Sequence, residues 1–249
     1  MSCRYISIFI LVGFLHIVLF ISSVEAQTTG NPAILEQKSW SLGLSAEYAR
    51  YNLENIEYTS IRGLLKGDIT AAHYVTVSIA AGLANMKINY PLSYMRTRLD
   101  SKNSLAVGVS AKVNGIPAAP QYIVRNISFL TNLKIIGDGG ALWFTPMGHS
   151  YSTSPLVSGD VYYKFDWREF YGSLGTILLL KQYDIYVCYQ GRAIRQYEKF
   201  SRQLYRSGIM SSVIVGLEVK LSHQYVINLQ VRSFNGSAVS LGMSQSVRF

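Results

Sequence analysis

From Trp40 onward the chain holds its charged residues to one side of a two-residue repeat. The stretch WSLGLSAEY sets Trp40, Leu42, Leu44, Ala46 and Tyr48 against Ser41, Gly43, Ser45 and Glu47. The same alternation runs through SIRGLLKGDI, YVTVSIAAGL and LAVGVSAKV, through the stretches that start at Tyr183, Val213 and Tyr225, and through the last residues from Leu241. Successive side chains of a strand point to opposite faces, so this period reads as β-structure. In these eight strands Glu47, Arg62, Lys66, Asp68, Lys112, Asp184, Glu218, Lys220, Arg232 and Arg248 all fall on one face, and the apolar face carries no charge.

A half-buried soluble sheet also alternates. Its apolar face then needs a covering layer, and the chain offers neither a second set of strands nor amphipathic helices. Hydrocarbon is the covering that remains. A charge on a lipid-facing strand costs ~2–4 kcal/mol near mid-bilayer, enough to clear one face. Lipid offers no partner to backbone N–H and C=O groups, so strands span it only when their sheet closes. Composition agrees. Apolar residues make up 49 % and charged residues 15 %, where soluble domains carry about 25 % charged. Eighteen tyrosines and ten phenylalanines suit interface girdles.

The first residues read differently. MSCRYISIFILVGFLHIVLFISSVEAQ has Arg4, an apolar stretch from Ile6 to Ile21, then small residues up to Ala26. Such a stretch is short for a helical span of ~20 residues and fits a secretory signal cleaved after Ala26. The expected division is a signal peptide at 1–26 and one barrel domain at 27–249. Cleavage removes Cys3 and leaves Cys188 alone, so no internal disulfide is expected. The net charge stays +9.

The chain ends AVSLGMSQSVRF, with Leu241, Met243, Gln245, Val247 and Phe249 on one face. An export signal, alternating strands and a final strand closing on Phe resemble the bacterial outer-membrane β-barrels, and most of all the small OmpA-, OmpX- and opacity-like group. In that family the last strand ends on an aromatic with apolar residues at alternate positions, and the barrel-assembly machinery reads it. Leu241, Met243, Val247 and Phe249 match this pattern, while Gln245 departs from it. The resemblance implies an integral barrel in the outer membrane, with lipid and lipopolysaccharide as partners, and a monomer.

The fold expected is all-β: a closed antiparallel transmembrane barrel of about ten strands, with eight and twelve as alternatives. The strands are placed at 40–50, 57–69, 74–86, 104–114, 121–131, 168–180, 183–193, 209–221, 225–234 and 238–249. Segments near 141–146 and 157–165 form a candidate hairpin, and DVYYKF is a candidate extension of the 168–180 strand. Short connections at 70–73, 115–120, 181–182 and 221–224 are assigned to the periplasmic side with both termini. The long ones at 87–103, 132–167 and 195–208 are assigned outside, with two short outer turns at about 51–56 and at Asn235-Gly236.

Ten strands lie near the size at which side chains fill a barrel, so the interior charges predict a filled or narrow lumen. Lys112, Lys220, Arg232 and Arg248 would otherwise favour small anions. Two basic outer segments, with Lys87, Arg96, Arg98 and Lys102 in one and Arg192, Arg195, Lys199, Arg202 and Arg206 in the other, are candidates for lipopolysaccharide phosphates. The interleaved Tyr197, Phe200 and Tyr205 fit a membrane girdle, not nucleic acid. No catalytic, metal or cofactor site is expected. His73 and His223 fall in inner turns. Only His149, in GHSYSTSP with Ser150, Ser152 and Ser154 and with Asp160 nearby, offers an alternative as an outer-membrane lipid A deacylase or lipase. A soluble lipocalin-like barrel is the other alternative, and it would turn the apolar face inward. The role expected is structural, adhesive or narrow-pore transport.

Overall fold

The computed structural model describes residues 39–53, 56–72, 74–92, 95–118, 132–153, 158–199, 204–222, 224–233 and 237–248. They form thirteen strands: β1 (Ser39–Leu53), β2 (Ile56–Ala72), β3 (Val75–Leu92), β4 (Met95–Asp100), β5 (Ser104–Pro117), β6 (Leu133–Phe144), β7 (Met147–Thr153), β8 (Ser158–Leu179), β9 (Tyr183–Glu198), β10 (Leu204–Arg206), β11 (Met210–Lys220), β12 (Tyr225–Ser233) and β13 (Ser237–Arg248).

Ten of them make the wall, in the order β1-β2-β3-β5-β6-β8-β9-β11-β12-β13, each antiparallel to the next. The sheet closes where β13 returns to β1, in register from Ser39↔Arg248 to Arg50↔Ser237. This is the closed ten-stranded antiparallel barrel expected from the alternation. The three remaining strands stand outside the ring. β4 pairs with the far end of β3, β7 with the start of β8, and β10 with the end of β9. The termini of the ring, Ser39 and Arg248, share one end of the barrel with the β2–β3, β8–β9 and β11–β12 turns.

Two expectations are corrected. The strand placed at 121–131 falls within 119–131, outside the described residues, and its position in the wall belongs to β6. That strand pairs with β5 from Ala106↔Phe144 down to Pro117↔Lys134, and with β8 on its other side. Glycine hid it. Gly137, Gly139 and Gly140 supply no side chain to the two-residue pattern. The first residues of the turn expected at 115–120 belong to β5, which runs to Pro117, and the rest of it falls in part outside the described residues. The long outer loops at 87–103, 132–167 and 195–208 are in large part strand. β3 and β4 form one hairpin beyond the ring, and β7 with the first residues of β8 forms another, so DVYYKF does extend its strand.

The faces sort as the charges required. Glu47, Arg62, Lys66, Asp68, Lys112, Asp184, Glu218 and Arg232 are buried inside the ring. Leu44, Ile79, Leu105 and Leu174, on the other face, are 62, 65, 67 and 65 % exposed. The outward residues stay free of charge over the same length on strand after strand: Trp40 to Tyr48, Ile69 to Ile61, Val75 to Leu83, Val113 to Leu105, Leu178 to Phe170 and Val247 to Val239. At ~3.3 Å per residue each stretch runs about 26 Å along its strand. A tilt of ~40° makes that about 20 Å across a membrane, and the end side chains extend it toward the ~25 Å apolar band of such barrels. The lipocalin-like alternative is excluded by the same faces, since its apolar side would be the buried one.

One close approach fixes a wall position. Gly216 lies directly opposite Tyr186, whose ring lies where a Cβ at 216 would stand. The Tyr186 hydroxyl reaches Asn228 Oδ1 at 3.3 Å and Gln230 Oε1 at 3.2 Å, which pins the ring over the glycine. Gly216→Val is expected to displace it and cost about 1–3 kcal/mol, the usual penalty of overpacking, read as a lower urea midpoint of the folded barrel.

Candidate functional site in the barrel interior

The lumen is built in layers. Toward the end that carries the extra hairpins, Tyr51, Tyr58, Met86, Phe144, Phe165 and Trp167 form an apolar plug. Trp167 is fully buried and touches three rings, with centroids 5.2 Å from Tyr58, 5.8 Å from Tyr51 and 6.0 Å from Phe144. The strand pattern places these side chains. Tyr163, Phe165, Trp167, Glu169 and Tyr171 alternate on the inward side of β8.

Directly beneath lies an ionic cluster centred on Glu169. Its carboxylate accepts from both terminal nitrogens of Arg62, from Arg192 Nη1 at 3.2 Å and from Trp167 Nε1 at 2.7 Å. Arg62 also meets Glu47 at 3.3 Å and donates to Ser60 Oγ at 3.0 Å. The Tyr51 hydroxyl oxygen, Oη, accepts from Arg62 and Arg192 at 3.2 and 3.0 Å. Gln190 Oε1 accepts from Arg192 at 3.0 Å and from Arg232 at 3.3 Å. Three guanidinium groups and two carboxylates thus share one buried layer, bound by forked hydrogen bonds whose geometry suits arginine better than lysine.

Below the cluster is a cavity of about 110 Å³, lined among others by Glu47, Lys66, Lys112, Asp138, Tyr171 and Gln230. That is room for several waters among polar groups able to bind them. Lys112 Nζ holds Asp68 at 2.7 Å, and Asp138 stands opposite Lys112 in register. A second apolar layer of Ile136, Ile177, Tyr186, Cys188 and Ile214 follows. Near the end that carries the termini, Lys220 Nζ bridges Asp184 at 2.7 Å and the Leu180 carbonyl at 3.3 Å.

The cations put forward for anion passage therefore have partners: Lys112 has Asp68, Lys220 has Asp184, and Arg232 has Gln190. The Arg248 side chain lies outside the description. The basic outer residues scatter. Arg192 turns inward to Glu169, while Arg195 and Arg206 face outward on β9 and β10. Lys102 is exposed between β4 and β5, and Arg202 falls outside the described residues. His149 lies in β7 opposite Tyr162, and Asp160 pairs with Tyr151. His73, His223 and Phe249 are outside the described residues. Among the described residues no three His, Cys, Asp or Glu side chains gather as metal ligands.

Glu169 and Trp167 escaped the sequence reading. Around 168–180 the two-residue period is weak, and the strand placed there begins one residue past the tryptophan. An acid in step with Phe165, Trp167 and Tyr171 was the available signal.

No family model matches the chain, and no curated protein matches it. Among solved structures it is similar to the β-domain of the Bordetella autotransporter BrkA, at 11 % identity over 85 % of this chain and 98 % of that one, with a TM-score of 0.48. It is similar to the transport unit of the autotransporter AIDA-I from Escherichia coli, at 11 % identity over 86 % and 90 %, with a TM-score of 0.43. It is also similar to an outer membrane channel from Pseudomonas putida F1, at 8 % identity over 91 % and 98 %, with a TM-score of 0.42. Likeness at this level is one of barrel architecture alone.

Proposed function

We propose that this chain is an integral barrel of the bacterial outer membrane with a closed lumen and a structural role. The observation that carries the reading is the uncharged outward belt, equal in length on neighbouring strands and matched to a bilayer. A ring of this kind has no use for such a belt in water, where exposed apolar patches of this extent drive association. Export by residues 1–26, assembly through the last strand ending in Phe249, and membership of the OmpA-, OmpX- and opacity-like group go with this reading. So does the absence of a catalytic role, with His149 as a strand residue of β7 and not a base.

The layered interior favours a plug over a pore. A conducting path would have to pass Trp167 and the Glu169 cluster, both without solvent exposure. Planar-bilayer recording of the purified full-length barrel tests this. Wild type is expected to insert without stepwise conductance, and Trp167→Ala to produce small steps by opening the aromatic layer. Ion-selective steps from wild type would replace the structural reading with a narrow channel through the central cavity. Detergent-dependent extraction and heat-modifiable migration test the membrane location. Release with soluble periplasmic contents would remove it.

A further inference from the structure

The outward faces of β8 and β9 change character at one level. On β8 they run Leu178, Thr176, Leu174, Gly172, Phe170 and then Arg168. On β9 they run Ile185, Val187, Tyr189, Gly191, Ala193 and then Arg195. Arg168 and Arg195 are direct cross-strand partners. Across the other edge of β9, Arg206 of β10 pairs with the same Arg195. Reciprocal bonds between Ile194 and Ser207 hold β10 in that register: Ile194 N donates to Ser207 Oγ at 2.7 Å, and Ser207 N to the Ile194 carbonyl at 2.9 Å. Three arginines therefore stand in one row on adjacent strands, all exposed, at the first outward position above the apolar belt.

Like charges directly opposite one another destabilise a sheet. Among the described side chains one carboxylate meets the row, Asp166, at 2.7 Å from Arg168. Arg195 lies over the Phe170 ring, 5.7 Å from its centroid, which ties the charge to the edge of the belt. Strands ~4.8 Å apart set the three arginines, each with a guanidinium fork, at Cα positions along a line of about 10 Å. Such forks bind phosphate oxygens in pairs, and the apolar wall directly below suits acyl chains.

We propose that Arg168, Arg195 and Arg206 form a binding site for the phosphate head group of an outer-leaflet lipid, whose chains lie along Phe170, Leu174 and Ala193. The site rests on the membrane reading above and gives that reading a specific lipid contact. Its geometry was not visible in the basic segments of the sequence, because Arg192, three residues before Arg195, faces the lumen instead.

The test is native mass spectrometry of the full-length barrel in detergent with diphosphoryl lipid A, with lipid A stripped of its phosphates, and with inorganic phosphate alone. Wild type is expected to bind the diphosphoryl lipid at least tenfold more tightly than the stripped one. The combined Arg168→Gln, Arg195→Gln, Arg206→Gln variant is expected to lose that preference and keep its affinity for the stripped lipid. Equal binding of the two lipids by wild type overturns the proposal, and this comparison stands even if the variant does not fold. An unchanged preference in a folded variant overturns it too, as does displacement of the lipid by millimolar phosphate, which would make the row a free-anion site. Heat-modifiable migration reports folding. A wild-type barrel that fails to insert in bilayers sinks the membrane reading, whereas one that inserts without phosphate preference sinks only the arginine row.

Discussion

Glu169→Ala is expected to lower the stability of the folded barrel by about 3–5 kcal/mol, the cost of removing one partner from a buried ionic group. The carboxylate is the hub for Arg62, Arg192 and Trp167. Without it Glu47 remains as the nearby counter-charge to Arg62, while Arg192 and Arg232 keep neutral partners. The Arg62 and Glu169 side chains have no solvent exposure. Urea titration of the refolded barrel, followed by heat-modifiable migration, measures the effect. Adding Arg192→Met is expected to recover part of the loss, because the variant then buries one uncompensated cation fewer. A double-mutant cycle over Glu169 and Arg192 separates their coupling from the rest of the network. A loss below about 1 kcal/mol for Glu169→Ala would mean that the layer is wetter than its geometry indicates.

The second large effect belongs to the outer wall. Leu44 stands midway between Trp40 and Tyr48 and is 62 % exposed. Leu44→Arg is expected to destabilise the barrel in a bilayer by about 2–4 kcal/mol, while Tyr48→Arg, at the edge of the belt, costs about 0–1 kcal/mol from its depth alone. The difference between the two is the informative quantity, since both add the same side chain to the same strand. Folding titrations in lipid vesicles read it directly. Equal effects at the two positions would deny that the belt faces hydrocarbon. A surface facing water would tolerate either change within about 0.5 kcal/mol.

These two experiments probe parts of the molecule that differ in how far the sequence reveals them. The wall was legible. Alternation is local, and a face that must exclude charge over nine residues leaves the same mark on every strand that crosses. The pairing of first and last strands followed, because an open edge has no partner in lipid. What blurred the reading was missing side-chain signal. The glycines of β6 erased its period, and strand ends beyond the membrane no longer need an apolar face, so hairpins such as β3–β4 looked like loops. The interior was legible only as a set of charges. The charges of Arg62, Glu47 and Arg232 fall inside as the alternation requires, but Glu169 stands in a segment of weak period and Arg192, at the end of the strand placed at 183–193, is grouped with a basic outer segment.

The sequence by itself determined which face of each strand turns outward free of charge, that the sheet closes, and about how many strands close it, because a face cleared of charge leaves its mark in the local alternation. Only the tertiary structure decided which charges meet. Arg62 and Glu169 are separated by 107 residues, Lys112 and Asp68 by 44, and Arg168 reaches Arg195 across a turn. Those meetings depend on the stagger between neighbouring strands and on the curvature that brings opposite walls together, and neither leaves a trace in the alternation of a single strand.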